Sequence, residues 1–344
     1  METTVTLERL QDESGTHALW DGDLPTLGDV FRARRVIARH LAPTPLIEAE
    51  KLSDRIGVEA YVKCENLQPT GAFKVRGGLY LLSRLSEEQR ARGVVGASTG
   101  NHGQSIAYAA RAYGAKATIF VPEVANELKV ASMERLGATV VKKGADFNVA
   151  FEAARASAEE QGAHFIHSAN EPDLIAGVAT ASLEMLEEVP DLDAVFVPIG
   201  GGSGLCGATL VGKSLNPALQ VIGVQSEEAP VVYESWRYRE LKTLDRCDTF
   251  AEGIATRAAF SLPAAMLWNK VDEIMLVSDA DLRRSILTLL ETTAMLAEGA
   301  GAAALAGLYD RRHEFAGKKV GIILSGGNLT LESLQEALTK ERAW

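Results

Sequence analysis

Short apolar runs rich in β-branched residues alternate with longer Ala-rich segments along most of the chain. Runs of this length predict buried strands, and the longer segments, with apolar positions at helical spacing, predict helices. The predicted strands cover residues 61–64, 94–97, 117–121, 139–142, 194–199, 221–224 and 320–324. The predicted helices cover residues 101–113, 127–136 and 147–161. This alternation indicates an α/β fold with a mostly parallel sheet and helices on both of its faces.

Ligands of parallel α/β sheets lie where the carboxyl end of a strand leads into a helix. Four segments near predicted strand ends or helix starts carry polar or glycine-rich sequence, and each is a candidate part of a binding site. Residues 236–256 follow no regular pattern, and we expect a surface excursion there.

Composition and charge exclude several classes of protein. The chain has 344 residues, of which 47% are apolar and 24% charged, as is ordinary for a globular protein. Its formal net charge of −11 argues against a nucleic-acid partner, and the lack of an eighteen-residue apolar run argues against a membrane span. Residues 1–5 lack the pattern of a signal peptide, and the widely spaced Cys64, Cys206 and Cys247 suggest no disulfide framework. We therefore expect a cytoplasmic protein.

The first candidate segment is a lysine at the start of a helical pattern. Lys74 follows the turn formed by Pro69, Thr70 and Gly71, stands directly after Phe73, and precedes a glycine-rich stretch. Such a setting can remove an ammonium from bulk water, lower its pKa and make it a nucleophile toward a carbonyl. Taken alone, a lysine is more often a solvated surface charge.

The second segment opens the helix that follows the strand at 94–97. The hydroxyls of Ser98 and Thr99, together with free backbone N–H groups at Gly100 and Asn101, can form a pocket for a carboxylate. An ordinary helix cap is the simpler alternative, because Ser, Thr and Asn are favoured at caps for local reasons.

The third segment lies between the strand at 194–199 and a helical pattern. Its residues let the backbone approach an anion closely, and a phosphate is the natural ligand at such a helix start. They are Gly200, Gly201, Gly202, Ser203 and Gly204. A flexible loop is the structural alternative.

The same loop also satisfies a dinucleotide-binding pattern. Gly202, Gly204 and Gly207 have the G-x-G-x-x-G spacing after a strand, and Glu227 lies about twenty residues further on. An NAD-dependent oxidoreductase is therefore an alternative. That interpretation leaves Lys74 and the other candidate segments without roles.

The fourth segment is a Ser-Gly-Gly-Asn turn that closes the last strong strand, which places the Ser325 hydroxyl where a ligand would lie. By itself the turn could be only structural. Together these four segments, the corners of the candidate site, supply an amine, a carboxylate pocket, a phosphate-binding loop and a neutral hydroxyl. Pyridoxal 5′-phosphate with an amino-acid substrate needs these groups.

In these segments the chain resembles the serine/threonine dehydratase family of fold-type II pyridoxal-phosphate enzymes, from about residue 44 to about residue 328. The resemblance makes Lys74 the Schiff-base lysine, Asn101 the partner of the cofactor's phenolic oxygen, and Ser325 the partner of its ring nitrogen. It makes residues 200–204 the phosphate loop, and Ser98, Thr99 and Asn101 the contacts of the substrate.

The resemblance also implies an architecture of two open twisted, mostly parallel sheets, like that of the tryptophan synthase β subunit. A large cofactor-binding domain would comprise residues 1–90 and 164–344, and a small domain of residues 91–163 would carry the substrate-carboxylate corner. A homodimer or higher homo-oligomer is expected. The chain stops at Trp344, so no regulatory domain of the isoleucine-inhibited kind is expected.

Several positions refine this expectation. Related racemases carry a serine where this chain has Thr99, which makes a racemase the less favoured alternative. Some relatives bind a divalent cation at positions that here are Gln225 and Val231, so we predict no metal there. His164 and His167 are interpreted as structural, and Glu298 is predicted to lie near the cofactor ring.

The resulting prediction is a dehydratase, or ammonia-lyase, that converts a threonine-like or serine-like β-hydroxy amino acid to a 2-oxo acid and ammonia. Details of the sequence are similar to the hydroxyectoine-utilisation branch of the family. A binding protein with a vestigial site is a further alternative.

Overall fold

The computed structural model describes residues 19–344, so the prediction drawn from residues 1–5 lies outside the described residues. Its strands are β1 Leu46–Glu48, β2 Glu59–Cys64, β3 Val94–Ala97, β4 Ala117–Val121, β5 Thr139–Lys142, β6 His164–Phe165, β7 Ala194–Pro198, β8 Gln220–Ser226, β9 Glu273–Val277 and β10 Lys319–Leu324.

The α-helices of the described residues alternate with these strands. They are α1 Leu27–Ile37, α2 Glu50–Ile56, α3 Lys74–Arg84, α4 Glu87–Arg92, α5 Asn101–Ala112, α6 Glu127–Arg135, α7 Phe147–Gln161, α8 Pro172–Val178, α9 Thr180–Glu188, α10 Ser203–Leu215, α11 Val231–Tyr238, α12 Ser261–Leu267, α13 Asp279–Thr293, α14 Gly299–Arg311 and α15 Leu331–Lys340. Short 3-10 helices cover Glu65–Leu67, Glu252–Ile254 and Arg312–Phe315.

The strands form two sheets. The larger has six strands in the order β1-β2-β10-β7-β8-β9, and only β1 runs antiparallel to its neighbour. The smaller has four parallel strands in the order β5-β4-β3-β6. The predicted α/β fold with mostly parallel sheets is confirmed, and all seven predicted strands and three predicted helices are present to within two residues at each end.

The large sheet is buried on both faces, which explains why its strands read as continuous apolar runs. Neighbouring residues of one strand point to opposite faces, so Phe196 and Ile322 join one apolar cluster while Val195 and Ile323 join the other. Helices α2, α13 and α14 cover the first face, and α9, α10 and α12 cover the second.

The small sheet takes its fourth strand, His164–Phe165, from just beyond residue 163. The division of the chain into domains at residues 90 and 163 stays a prediction. Within residues 19–344, no helix has both the length and the apolar character required to span a lipid bilayer.

The expected surface excursion at 236–256 is wrong for its second half. Residues 239–248 are mostly exposed, but Ala251 and Ile254 are 2% and 1% exposed. These two side chains are buried because the 3-10 helix Glu252–Ile254 packs against α14 and the glycine loop.

Candidate active site

Lys74 lies beside the glycine loop, although 129 residues separate it from Ser203. Its ammonium donates to the Ser203 hydroxyl at 2.9 Å and to the Ser168 carbonyl at 3.2 Å. Removal from water lowers the pKa of Lys74 to about 8. The structure thus brings together the predicted amine and the predicted phosphate loop, and it adds Ser168, which was not among the predicted site residues.

Two backbone contacts fix the start of the lysine helix. The Phe73 N–H donates to the Ser325 carbonyl at 3.0 Å, which ties the turn before Lys74 to the end of β10. The Ser105 hydroxyl of α5 donates to the Lys74 carbonyl at 2.6 Å. Lys74 is therefore held between the last strand of the large sheet and the first helix after β3.

The glycine loop connects β7 to α10 and has a shape that side chains would not allow. A Cβ on Gly200 would stand 2.5 Å from the Gly253 carbonyl oxygen, and Gly202 has a φ of 101°. Helix α10 begins at Ser203, and no side chain caps it. Uncapped N–H groups at a glycine-lined helix start suit a phosphate, so these residues fit the cofactor named by the sequence analysis.

The corner between β3 and α5 differs from an ordinary helix cap. The Ser98 hydroxyl accepts from the Gly100 N–H at 3.1 Å and not from the helix, and α5 has no side-chain cap. Ser98 is buried, whereas Thr99 and Gly100 are partly exposed. The first N–H groups of α5 therefore remain available to an anion, as the carboxylate interpretation requires.

Asn101, the first residue of α5, is held at both ends of its carboxamide. Its Nδ2 donates to Glu298 Oε1 at 2.6 Å, and its Oδ1 accepts from Asn328 Nδ2 at 2.7 Å. Burial raises the pKa of the Glu298 carboxyl, and the Asn101 donor opposes that effect. The sequence predicts Glu298 near the cofactor ring, but it predicts no role for Asn328 beyond the Ser-Gly-Gly-Asn turn.

Ser325 follows the last residue of β10 and is buried at the base of the Lys74 turn. An isolated bridge between Ala72 and Gly326 joins that turn to the strand end. All four predicted corners are thus connected at the carboxyl ends of parallel strands, which is where such folds bind ligands.

His167 is engaged in holding the backbone. Its Nδ1 accepts from the N–H groups of Ala169 at 3.0 Å and Asn170 at 2.9 Å, which places Ser168 next to Lys74. Burial, and to a smaller extent the neighbouring Lys74, lowers the pKa of His167 to about 4. A neutral ring nitrogen that accepts two backbone N–H groups has a structural role.

Gln225 is one of the two positions where the sequence predicts no metal ligand, and its side chain caps helix α11. Its Oε1 accepts from the N–H groups of Val232 at 3.1 Å and Tyr233 at 3.0 Å in the first turn of α11. No group of three or more His, Cys, Asp and Glu side chains in residues 19–344 is arranged to hold a metal ion.

Comparison with known proteins decides between the cofactors. A profile of the family described as pyridoxal-phosphate dependent enzymes matches residues 37–326. The chain belongs to this family. The predicted membership and cofactor are confirmed, and the NAD-dependent interpretation is wrong. The glycine spacing does stand in a β7-α10-β8 unit with Glu227 after β8, but the same anion-binding geometry serves any phosphate at a helix start.

Two curated relatives and one solved structure illustrate the similarity. The L-threonine ammonia-lyase of Thermotoga maritima is 40% identical over 92% of this chain and 78% of its own length. The L-threo-3-hydroxyaspartate ammonia-lyase of Saccharomyces cerevisiae is 38% identical over 90% of this chain and 95% of its own. The crystal structure of serine racemase from Dictyostelium discoideum has a TM-score of 0.84 at 34% identity, covering 89% of this chain and 99% of that one.

Proposed function

We propose that this pyridoxal-phosphate dependent enzyme is an ammonia-lyase that converts a β-hydroxy amino acid to a 2-oxo acid and ammonia by α,β-elimination. The observation that carries the proposal is the 2.9 Å contact between the Lys74 ammonium and Ser203 at the start of α10. It joins a partly buried amine of lowered pKa to a loop suited to binding an anion. The names of the two curated relatives, both ammonia-lyases, support the reaction type.

Pyridoxal phosphate, when bound, supplies an electron sink for bonds at the α-carbon of an amino acid. The loop of residues 200–204 would hold its phosphate, Asn101 would donate to its phenolic oxygen, and the Ser325 hydroxyl would face its ring nitrogen. Lys74 would bond to its aldehyde carbon. These assignments rest on the family resemblance and on the position of the four corners around one site.

The substrate's α-carboxylate would bind at Ser98, Thr99 and the N–H groups that open α5 at Asn101. The substrate's amino group would take the place of Lys74 at the cofactor's aldehyde carbon, and the freed Lys74 amine would then remove the proton from the α-carbon. With a pKa of about 8, about one in ten Lys74 amines is neutral at pH 7, which makes the amine an effective base at that pH. The β-hydroxyl would take up a proton and leave as water. The released enamine would become an imine, and a water molecule would hydrolyse it to the 2-oxo acid and ammonia.

Racemisation is the second candidate, because the serine racemase structure is similar over 89% of this chain. Thr99 stands where related racemases have a serine, and the neutral hydroxyl of Ser325 favours elimination because it does not compel a proton onto the ring nitrogen. Ser325→Asp should therefore raise the ratio of racemised amino acid to 2-oxo acid. An unchanged ratio would contradict this account of reaction specificity.

The deciding experiment is a release assay for 2-oxo acid and ammonia with purified, cofactor-saturated protein. The substrates are threonine, serine, threo-3-hydroxyaspartate, a phenylserine and a breakdown product of hydroxyectoine. Lys74→Ala should abolish release, while Lys51→Ala, which removes an exposed lysine of α2, should not. Cofactor binding without 2-oxo acid from any substrate would support a binding role.

We also infer a homo-oligomer in the cytoplasm. Leu331 and Leu338 lie two turns apart on α15 and are 84% and 54% exposed, as apolar contacts between subunits would be before assembly. The three cysteines are free in the described residues, as is usual in a reducing compartment. Light scattering tests the first inference: the parent protein should have the mass of an oligomer, and Leu331→Glu should have a smaller mass. Cell fractionation tests the second inference, that the protein lies in the cytoplasm.

A further inference from the structure

The proposed chemistry leaves the orientation of the Asn101 carboxamide unexplained. Asparagine side chains can rotate to exchange oxygen and nitrogen, so the orientation of Asn101 needs a physical cause. A donor lies at one end of its carboxamide and an acceptor at the other. Asn328 Nδ2 is 2.7 Å from its oxygen, and Glu298 Oε1 is 2.6 Å from its nitrogen.

The orientation of Asn328 is itself determined by the backbone. Its Nδ2 donates to the Thr70 carbonyl at 2.8 Å, and a carbonyl oxygen can only accept. A rotated Asn328 would place its own oxygen against that carbonyl. Because Asn328 must keep its nitrogen there, the group facing Asn101 must be a donor, and Asn101 must present its oxygen.

Glu298 enforces the same orientation from the other end. Its backbone N–H donates to the Gly326 carbonyl at 3.1 Å, which fixes the residue at the start of α14 beside the Ser325 turn. Its Oε1 accepts from the Asn101 carboxamide, so Glu298 requires the Asn101 nitrogen at this end. That nitrogen has two N–H bonds, and Glu298 is its one acceptor among residues 19–344, which leaves one N–H for a ligand.

The geometry points to Glu298 and Asn328 as positioning residues that hold Asn101 with a donor, and never its oxygen, toward the phenolic oxygen of the bound cofactor. The inference rests on the proposed contact between Asn101 and the cofactor. These two contacts also connect the start of α5 to other parts of the site. Asn328 donates to the Thr70 carbonyl in the turn before Lys74, and Glu298 donates to the Gly326 carbonyl just after the last strand. The chain therefore orients the donor and the lysine with the same contacts.

The test compares Glu298→Ala, Glu298→Gln and Asn328→Ala as holoenzymes. Two properties are measured: the equilibrium dissociation constant of pyridoxal phosphate, and the pH midpoint of its visible absorption change. Losing a fixed N–H donor should weaken binding about tenfold and raise the midpoint by about one pH unit in both alanine variants, because the ionised phenolic oxygen loses its partner. Glu298→Gln keeps an acceptor oxygen and should stay near the parent values.

Asn66→Ala is the matched control. Asn66 is a partly buried asparagine of the same neighbourhood, and it donates to the Leu296 carbonyl at 3.2 Å without contacting Asn101. It should lose some thermal stability with no change in the absorption midpoint. Thermal unfolding of every variant shows which of them fold. If Glu298→Ala does not fold, Asn328→Ala still tests the inference independently.

Parent values of both properties in the alanine variants would overturn the inference. Equal impairment of Glu298→Ala and Glu298→Gln would also overturn it, because charge and not acceptor geometry would then be responsible. The proposed function fails separately, if the parent protein binds the cofactor and releases no 2-oxo acid.

Discussion

In the cofactor-free protein, Lys74 should titrate as an amine with a pKa near 8 and not near the usual 10.5. The cause is burial, which disfavours the charged form of an ammonium. At pH 7 about one amine in ten would be neutral, compared with about one in three thousand for an unperturbed lysine, a gain of roughly 300-fold in reactive amine. Raising the pH from 7 to 9 should bring most Lys74 amines into the neutral form.

Competitive acetylation between pH 6 and pH 11, read by mass spectrometry of the peptide that contains Lys74, measures this titration. Limited access to the site lowers the absolute rate, but the pH midpoint still reports the neutral fraction. The same peptide in urea-unfolded protein is the control, and its midpoint should return toward 10.5 because the burial is lost.

A second variant tests the contact with the glycine loop. Ser203→Ala removes the hydroxyl that accepts from the ammonium at 2.9 Å, so it should lower the midpoint further, since that contact favours the charged form. A midpoint above about 10 in folded protein would refute the reasoning, because the amine would then be solvated and no more nucleophilic than a surface lysine.

Three further outcomes follow from buried groups. Arg76 binds both oxygens of Glu65, at 2.7 and 2.8 Å, so Arg76→Met should lower the free energy of unfolding in urea by about 3–5 kcal/mol, and a loss below about 1 kcal/mol would contradict this. Burial raises the pKa of Glu171 to about 7, so the folded state binds the proton more tightly and parent stability should fall as the pH rises from about 4.5 to about 7. Glu171→Gln lacks this titration, so its free energy of unfolding should rise relative to that of the parent by up to about 3 kcal/mol across that pH window. Urea titrations at several pH values measure the difference. A difference that stays constant with pH would contradict the prediction. Gly202→Ala should cost about 1–3 kcal/mol by thermal unfolding, because φ at this position is 101°, and an unchanged melting temperature would contradict the assigned strain.

Much of the architecture could be predicted from local sequence. Strands such as Val94–Ala97 and Ala117–Val121 are buried on both faces, so their apolar runs identify them without knowledge of their neighbours. The short β1 and β6 were missed because three or two residues carry no periodicity, and pairing with a neighbouring strand is what makes them strands. β9 lies at the sheet edge, and its Glu273 and Met275 interrupted the expected β-branched run.

The motifs located each corner, but they did not distinguish one phosphate ligand from another. The glycine spacing at Gly202 satisfies the dinucleotide pattern even in its structural context, since backbone N–H groups at a helix start bind phosphate whatever the rest of the ligand is. The family comparison and the nearby lysine were needed to choose.

By itself the sequence determined the strand and helix types, the four polar corners and the residue types that carry chemistry, because these follow from local periodicity and turn preferences. Only the tertiary structure decided that Lys74 contacts Ser203 and Ser168, and that Glu298 and Asn328 hold Asn101. These contacts join residues 94 to 227 positions apart. They form because parallel strands, connected through distant crossovers, bring their carboxyl ends to one edge, and no local pattern in a chain encodes which ends will meet.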